Sequence, residues 1–289
     1  MRAFSYARPE RLAEAVDLLH TLGADARILA GGTDLILRLR DGTLTPRLVI
    51  DVKRIPELRP GIREERGRLV IGATTVMTDV AAHPLVRQTF QALADAAAVV
   101  GAVQIRNRAT LAGNICNASP AADTSPPLLV YGAVVVAEGP GGTRRLPLDE
   151  FFVRSGVTTL QRGELVSAIE LPMPGRRMGA VHLRRTRRRG HDLASVTLCC
   201  GVDQAGVTRL AYGSVGPRPL LRTDDTGILA DPHRPEGEKL AILERMFAEA
   251  SPSKKSMRAS PEYRLAMLRV MGLRAVRGAI ERLTQGGAR

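Results

Sequence analysis

Aromatic residues are scarce in this chain of 289 residues: they make up 3 % of it, and tryptophan is absent. Surfaces that stack nucleic-acid bases need aromatic platforms, so that class of function lacks its usual parts. The core has to be built from Leu, Val, Ile and Ala instead. Cysteine is limited to Cys116, Cys199 and Cys200, two of them adjacent and none in a C-x-x-C pair. A disulfide framework, a zinc site or an iron–sulfur cluster each needs a spaced set of thiols, and none is present. The histidines show no metal-ligand spacing. No apolar run approaches the roughly 18 residues of a membrane span. The opening Met1-Arg-Ala-Phe-Ser-Tyr6 has no apolar region behind it, so no secretory signal is expected and a reducing cytoplasm is the expected compartment. Also missing are G-x-G-x-x-G opening a βαβ unit, G-x-x-x-x-G-K-[ST], H-E-x-x-H and G-x-S-x-G, and with them the commonest dinucleotide, P-loop, zincin and serine-hydrolase readings.

What is present begins with a normal hydrophobic content of 44 % and enough chain for one large or two modest domains. The net charge is +13, and nearly all of the excess lies beyond residue 175. Such a field attracts a polyanionic ligand, nucleic acid or an acidic partner. Its densest part, Arg184-Arg-Thr-Arg-Arg-Arg189, suits phosphate. With no helix-turn-helix or finger pattern beside it, nucleic acid is not the expected ligand.

Two stretches carry the chemistry. Ala30-Gly31-Gly32-Thr33-Asp34-Leu35 follows a short apolar run and precedes an amphipathic one. Thr110 to Asp123 packs Gly, Asn, Ser and Pro between an Arg-rich approach and an apolar segment. Each is an ordinary turn or an anion cradle, because glycine lets backbone N–H groups come close to a ligand. Two such loops, each with a carboxylate downstream (Asp34, Asp123), point to a clamp on a nucleotide pyrophosphate, with Gly31, Gly32, Gly113 and flanking N–H groups as donors.

Periodicity predicts the elements around them. A short strand precedes a helix whose first turn takes Pro9, with Leu12, Ala15, Val16 and Leu19 on one face and an end near Gly23. Strands follow at 27–30 and 48–51, giving a β-α-β opening. Further strands are expected at 68–75, 133–137, 143–146 and 165–171, with helices at 78–82 and 90–100. The Thr110–Asp123 stretch is expected to be tight and irregular. After a boundary at Pro172-Met-Pro-Gly-Arg-Arg177 come strands at 180–185, 194–202 and 207–214, then a loop-rich crossing marked by Pro217, Pro219, Pro232 and Pro235. A final helix starts at Pro261 and presents Ala266, Val270, Leu273, Ile280 and Leu283 on one face. Cys116, Cys199 and Cys200 read as packing residues.

Taken together, Ala-Gly-Gly-Thr-Asp-Leu and the later Gln104-Ile-Arg-Asn-Arg-x-Thr-Leu-x-Gly-Asn-x-x-Asn-Ala-Ser-Pro-Ala-Ala-Asp123 resemble the FAD-binding medium subunit of the molybdenum hydroxylases, the xanthine dehydrogenase and aerobic carbon monoxide dehydrogenase family. Tyr212-Gly-Ser-Val-Gly-Pro-Arg-Pro219 and Ser260-Pro-Glu-Tyr-Arg264 resemble signatures of that family's last domain. The resemblance implies an α+β chain. A two-lobed p-cresol methylhydroxylase-type FAD domain spans residues 1–176, with lobes 1–53 and 54–176. A smaller domain spans 177–287, with an antiparallel sheet and packed helices. It implies non-covalent FAD, since neither glycine loop holds a histidine. Leu29, Ala30, Gly31, Gly32, Thr33, Asp34, Leu35, Gly101, Thr110, Leu111, Ala112, Gly113 and Asn114 are expected to bind it. Asp123 is expected at the nucleotide end and Val166 and Arg184 near the flavin. Leu193 would lie over the ring, or else be a plain core residue. Ala112 stands where many relatives have glycine, so a negative φ is expected there. The resemblance further implies a large molybdenum-cofactor subunit and a small [2Fe–2S] subunit as partners, in a dimer of heterotrimers. FAD would pass electrons to NAD, a quinone, oxygen or a carrier protein. The rivals are a stand-alone FAD-dependent oxidoreductase and a basic binding module without enzymatic activity.

Overall fold

β1 (Ser5–Ala7), β2 (Ala26–Leu29) and β3 (Leu48–Asp51) form a small parallel sheet in the order β1-β3-β2. The helix Leu12–Leu22 crosses from β1 to β2 and buries Ala15, Val16 and Leu19. It begins three residues after Pro9: Arg11 is the N-cap, in extended geometry, so Pro9 precedes the helix and takes no part in its first turn. The chain is a computed structural model that describes residues 2–188 and 190–285. Arg189 and the end of the 177–287 span therefore lie outside the described residues.

The larger lobe is built on a five-stranded antiparallel sheet, β4 (Ile62–Glu65), β5 (Arg68–Gly72), β6 (Val134–Gly139), β7 (Gly142–Pro147) and β10 (Leu165–Pro172), in the order β4-β5-β10-β6-β7. A two-stranded ribbon, β8 (Phe152–Arg154) with β9 (Val157–Thr158), leads into β10. The β4 strand has no hydrophobic pattern, since it reads Ile-Arg-Glu-Glu and is mostly exposed. Pairing to β5 through a turn at Arg66 and Gly67 makes it a strand. Arg162 ties the lobes together by donating to the carbonyls of His20 and Thr21 at 2.6 and 2.7 Å.

Beyond residue 177 an antiparallel meander, β11 (Met178–Arg185), β12 (Val196–Asp203), β13 (Thr208–Gly213) and β14 (Leu220–Asp224), forms a second sheet. Alternation sends successive β12 side chains to opposite faces, and both faces are covered. Cys199 packs into the core of the first lobes, while Val196, Leu198, Cys200 and Val202 pack under the C-terminal helices. That double burial explains an apolar run without polar interruptions. The region expected to be loop-rich contains β14 and the helix Glu236–Met246. The prolines that hid them stand before each element, at 219 and 235, where they break nothing.

The helix Pro261–Gln285 is present, but its buried stripe is Leu268, Met271, Gly272, Ala275, Val276 and Ala279. Of the expected face, Leu273, Ile280 and Leu283 are partly buried and pack at the edge of this core, whereas Ala266 is exposed and Val270 is 39 % exposed. Small residues set the contact because the helix lies almost on the sheet. A Cβ on Gly179 would stand 2.1 Å from the Ala279 carbonyl oxygen and 2.4 Å from the Leu283 nitrogen. Gly179→Ala is therefore expected to destabilise the fold by about 1–3 kcal/mol, read as a lowered urea midpoint. An unchanged midpoint would mean that helix and sheet are not seated this closely. No helix among the described residues is long and apolar enough to cross a membrane.

Candidate functional site

The first glycine stretch leaves β2 at Leu29 and turns into the helix Leu35–Arg40. Its first capping bonds are Ile36 N–H to Gly32 O and Arg38 N–H to Asp34 O. Among the described residues the N–H groups of Gly31, Gly32, Thr33, Asp34 and Leu35 find no protein acceptor. Five consecutive open donors around a tight turn make an anion nest. Gly32, at φ +77, closes the turn.

The second stretch is more regular than expected. It holds the short helix Leu111–Cys116, and the helices Val103–Arg106 and Ser125–Val130 flank it on either side. The reason is local: Thr110 caps the helix Leu111–Cys116, its hydroxyl accepting from Gly113 N–H at 3.0 Å. Ala112 lies inside that helix, with the expected negative φ. The N–H groups of Thr110 and Ala112 donate to no acceptor among the described residues.

Tertiary contact joins the two stretches. Gly31 lies so near the Arg108–Ala109 backbone that a Cβ would stand 2.1 Å from the Arg108 carbonyl oxygen. Beyond Gly113 the path continues through Asn114, whose Oδ1 accepts from the Thr124 hydroxyl at 2.6 Å. Thr124 adjoins Asp123, which is 7 % exposed. Arg184 donates to Asp123 Oδ2 at 2.8 Å, to the Val99 carbonyl at 2.6 Å and to the Asp192 carbonyl at 2.7 Å. One guanidinium thus holds the carboxylate, the helix end before Gly101 and the loop that carries Leu193. Asp123, expected at the nucleotide end, and Arg184, expected near the flavin, are joined by this direct ion pair. Leu193 is 44 % exposed, which removes the core reading. Val166 differs from the rest. Its side chain is buried in the core beside a bulge in β10, leaving only backbone to offer a ligand.

Three residues around Asp123 escaped the sequence reading. His182 lies two positions before Arg184 on β11 and so shares its face. Its ring stands 3.7 Å from Asp123 Oδ1 and 3.0 Å from the Thr197 hydroxyl. The period-two spacing His182/Arg184 was the available signal; Thr197 and Asp192 had none. Burial and the Arg184 charge push the His182 imidazole down to about 3, so it is neutral. Burial also pushes the Asp123 carboxyl up to about 6, against the opposing pull of Arg184. Asp123 Oδ1 has no hydrogen-bond partner. Because the folded chain holds this proton to higher pH than the unfolded one, the stability linked to it is fully present below the ordinary value of 3.8 and is lost as pH rises through about 6. Asp123→Asn is expected to flatten that part of the pH–stability curve in urea titrations; an identical slope would place the titration elsewhere.

A concavity of about 620 Å³ lies elsewhere, on the five-stranded sheet, lined in part by Arg59, Arg68, Arg145 and Glu170. No glycine-loop residue lines it, and Glu170 already pairs with both Arg68 and Arg145. The open N–H groups lie apart from this hollow. Cys116 offers no nucleophile, since desolvation pushes its thiol up to about 12.

Residues 2–174 match the FAD binding domain in molybdopterin dehydrogenase, and residues 182–279 match the CO dehydrogenase flavoprotein C-terminal domain. The carbon monoxide dehydrogenase medium chain of Hydrogenophaga pseudoflava is 34 % identical over 280 residues, 96 % of each chain. A putative xanthine dehydrogenase FAD-binding subunit of Escherichia coli is 31 % identical over 283 residues, again 96 % of each. Among solved structures, a carbon monoxide dehydrogenase from Hydrogenophaga pseudoflava that lacks the Mo-pyranopterin moiety superposes with a TM-score of 0.88 at 31 % identity, over 98 % of this chain and 99 % of that one. Quinoline 2-oxidoreductase from Pseudomonas putida 86 gives 0.86 at 26 %, over 97 % and 98 %. An α+β fold of two FAD-domain lobes and a smaller antiparallel domain, bearing these motifs and matched from end to end, makes the chain a member of the FAD-binding subunit family of the molybdenum hydroxylases.

Proposed function

We propose that the chain carries FAD within a heteromeric molybdenum hydroxylase and relays electrons from [2Fe–2S] clusters on a small subunit to an external acceptor. A large subunit bears the molybdenum cofactor and oxidises the substrate. The observation that carries this reading is the row of open donors from Gly31 to Leu35, which begins against the Arg108–Ala109 backbone that leads directly into the helix capped by Thr110. A diphosphate fits such a place, because it brings charge and acceptors to groups otherwise left unpaired. FAD bound there, without a covalent link, supplies the redox chemistry.

The chain's own residues bind and orient it. Leu29 to Leu35 and Thr110 to Asn114 hold the diphosphate. Asp123 lies toward the nucleotide end, its ion-pair partner Arg184 lies near the flavin with the Val166 backbone, Leu193 lies over the ring, and Gly101 adds a further contact. Leu193, exposed and apolar, keeps water from a ring face without donating to it. The FAD domain takes residues 1–176, in lobes 1–53 and 54–176, and the smaller domain takes 177–287. The working form is a cytoplasmic dimer of heterotrimers, with the basic C-terminal part facing an acidic partner. Three cysteines, two of them fully buried in β12, support cluster binding on another chain.

The test is the visible spectrum of the chain purified from its native host with whatever accompanies it. Flavin absorbance overlaid with iron–sulfur bands, and two further chains on a gel, is the expected result. A colourless protein that takes up no added FAD would overturn the reading. Flavin on a lone, redox-active chain would favour a self-contained oxidoreductase.

A further inference from the structure

The arginines that end β11 and follow it are only partly explained by Asp123. Alternation turns Arg184 inward and Arg185 outward. Arg185 and Arg187 line, with Arg258, Ser195 and Tyr263, a second concavity of about 230 Å³. No acidic residue lines it. Arg185 donates to the Tyr263 hydroxyl at 2.8 Å, and neither Arg185 nor Arg258 has a carboxylate partner among the described residues. Arg187 alone is neutralised, by Asp192 at 3.1 Å. Close by, Arg264 is 5 % exposed and spends its guanidinium on the Ser195 and Ser214 carbonyls and the Ser256 hydroxyl, again with no carboxylate. Arg258 faces it closely enough to disfavour its charge further. The rim is completed by the start of the 25-residue helix Pro261–Gln285, whose N-terminal dipole adds to the positive field. Unbalanced guanidiniums at the mouth of a hollow, a buried cation close by and a helix N-terminus at its edge are arranged for an anion.

We propose that this concavity binds the oxyanion group, phosphate or carboxylate, of a small molecule, and that occupancy is passed to the loop carrying Leu193. The volume lies below the ~300–1,000 Å³ of pockets that enclose whole ligands, so it takes the charged group and not an entire dinucleotide. The coupling runs through Asp192. Its carboxylate accepts from Arg187 and from Leu193 N–H at 3.0 Å, and its carbonyl accepts from Arg184. An oxyanion that draws Arg187 away from Asp192 loosens the anchor of Leu193. The link to electron transfer rests on the proposed function, whereas the anion site does not.

The test titrates the full chain with inorganic phosphate by calorimetry, in wild type and in Arg258→Gln, Arg185→Gln and Arg245→Gln. Arg245 is exposed on the helix Glu236–Met246, away from the concavity. Saturable binding that weakens about tenfold in the first two variants and is unchanged in the third, at unaltered flavin content, is the expected result. Absent binding in wild type, or equal weakening in all three variants, overturns the site. Two sources of the anion are then separated in the purified complex. If Arg258→Gln raises KM about tenfold for a nicotinamide dinucleotide but not for an uncharged benzoquinone, the acceptor carries the group. If neither KM moves while phosphate binding is lost, a free oxyanion is the ligand. A chain that binds phosphate but never holds FAD keeps this site and defeats the flavin reading instead.

Discussion

Gly31→Ala is expected to leave purification without flavin. The added Cβ would stand 2.1 Å from the Arg108 carbonyl oxygen, 2.9 Å from its carbon and 3.0 Å from the Ala109 Cα. All three obstacles are backbone, so no side chain can rotate aside. The loop or the Arg108–Ala109 segment has to move, and with it the five open donors and the capped helix that follows. Relieving such an overlap costs about 1–3 kcal/mol in a well-packed region. Here the displacement falls on the ligand's own contacts, so FAD affinity is expected to drop roughly 100-fold. The flavin-to-protein absorbance ratio measures it. Gly141→Ala, in the β6–β7 turn where an added Cβ meets nothing, is expected to keep full flavin. Normal flavin in Gly31→Ala would mean that the two stretches do not meet at this site.

Arg184→Ala carries the second large effect. It removes the donor of three acceptors on separate segments, Val99, Asp123 and Asp192. It also leaves a carboxylate that is 7 % exposed with no cation beside it, and His182 is neutral and cannot replace the charge. Breaking one side of a buried ion pair typically destabilises by about 3–5 kcal/mol, much of it the penalty for the stranded charge. Combining Arg184→Ala with Asp123→Asn is therefore expected to recover part of the loss, because the stranded charge is gone. Urea unfolding of the two single variants and the double variant decides the point. A loss below about 1 kcal/mol, the range of exposed pairs, would show that the pair is open to water. The Leu193 loop is expected to become protease-sensitive in the single variant, since Arg184 is what ties Asp192 to β11.

Much of the scaffold was legible along the chain. Alternation and glycine punctuation located most of the strands, because the signal for a half-buried strand is local. Elements without that signal stayed hidden. The β4 strand is charged and exists through pairing, and β14 sits among prolines that looked like breakers. The buried stripe of the last helix was only partly placed: Leu273, Ile280 and Leu283 pack at its edge, but Gly272, Ala275 and Ala279 carry little hydrophobicity, and small size is what lets the helix approach its neighbours closely.

By itself the sequence determined the class of ligand and the parts that hold it. Two glycine stretches in a specific order named a flavin-binding family, and too few cysteines placed clusters on another chain. Those properties belong to residue types and short spacings, which a sequence states outright. Only the tertiary structure decided which of those parts touch. It set Gly31 on the Arg108–Ala109 backbone, joined Asp123 to Arg184 in an ion pair, put neutral His182 beside both, and turned Arg185 outward toward the concavity that Arg258 also lines. The physical reason is that contacts between residues far apart in sequence depend on sheet register and on how closely the layers approach. Both are set by packing summed over the whole core, and no local pattern records them.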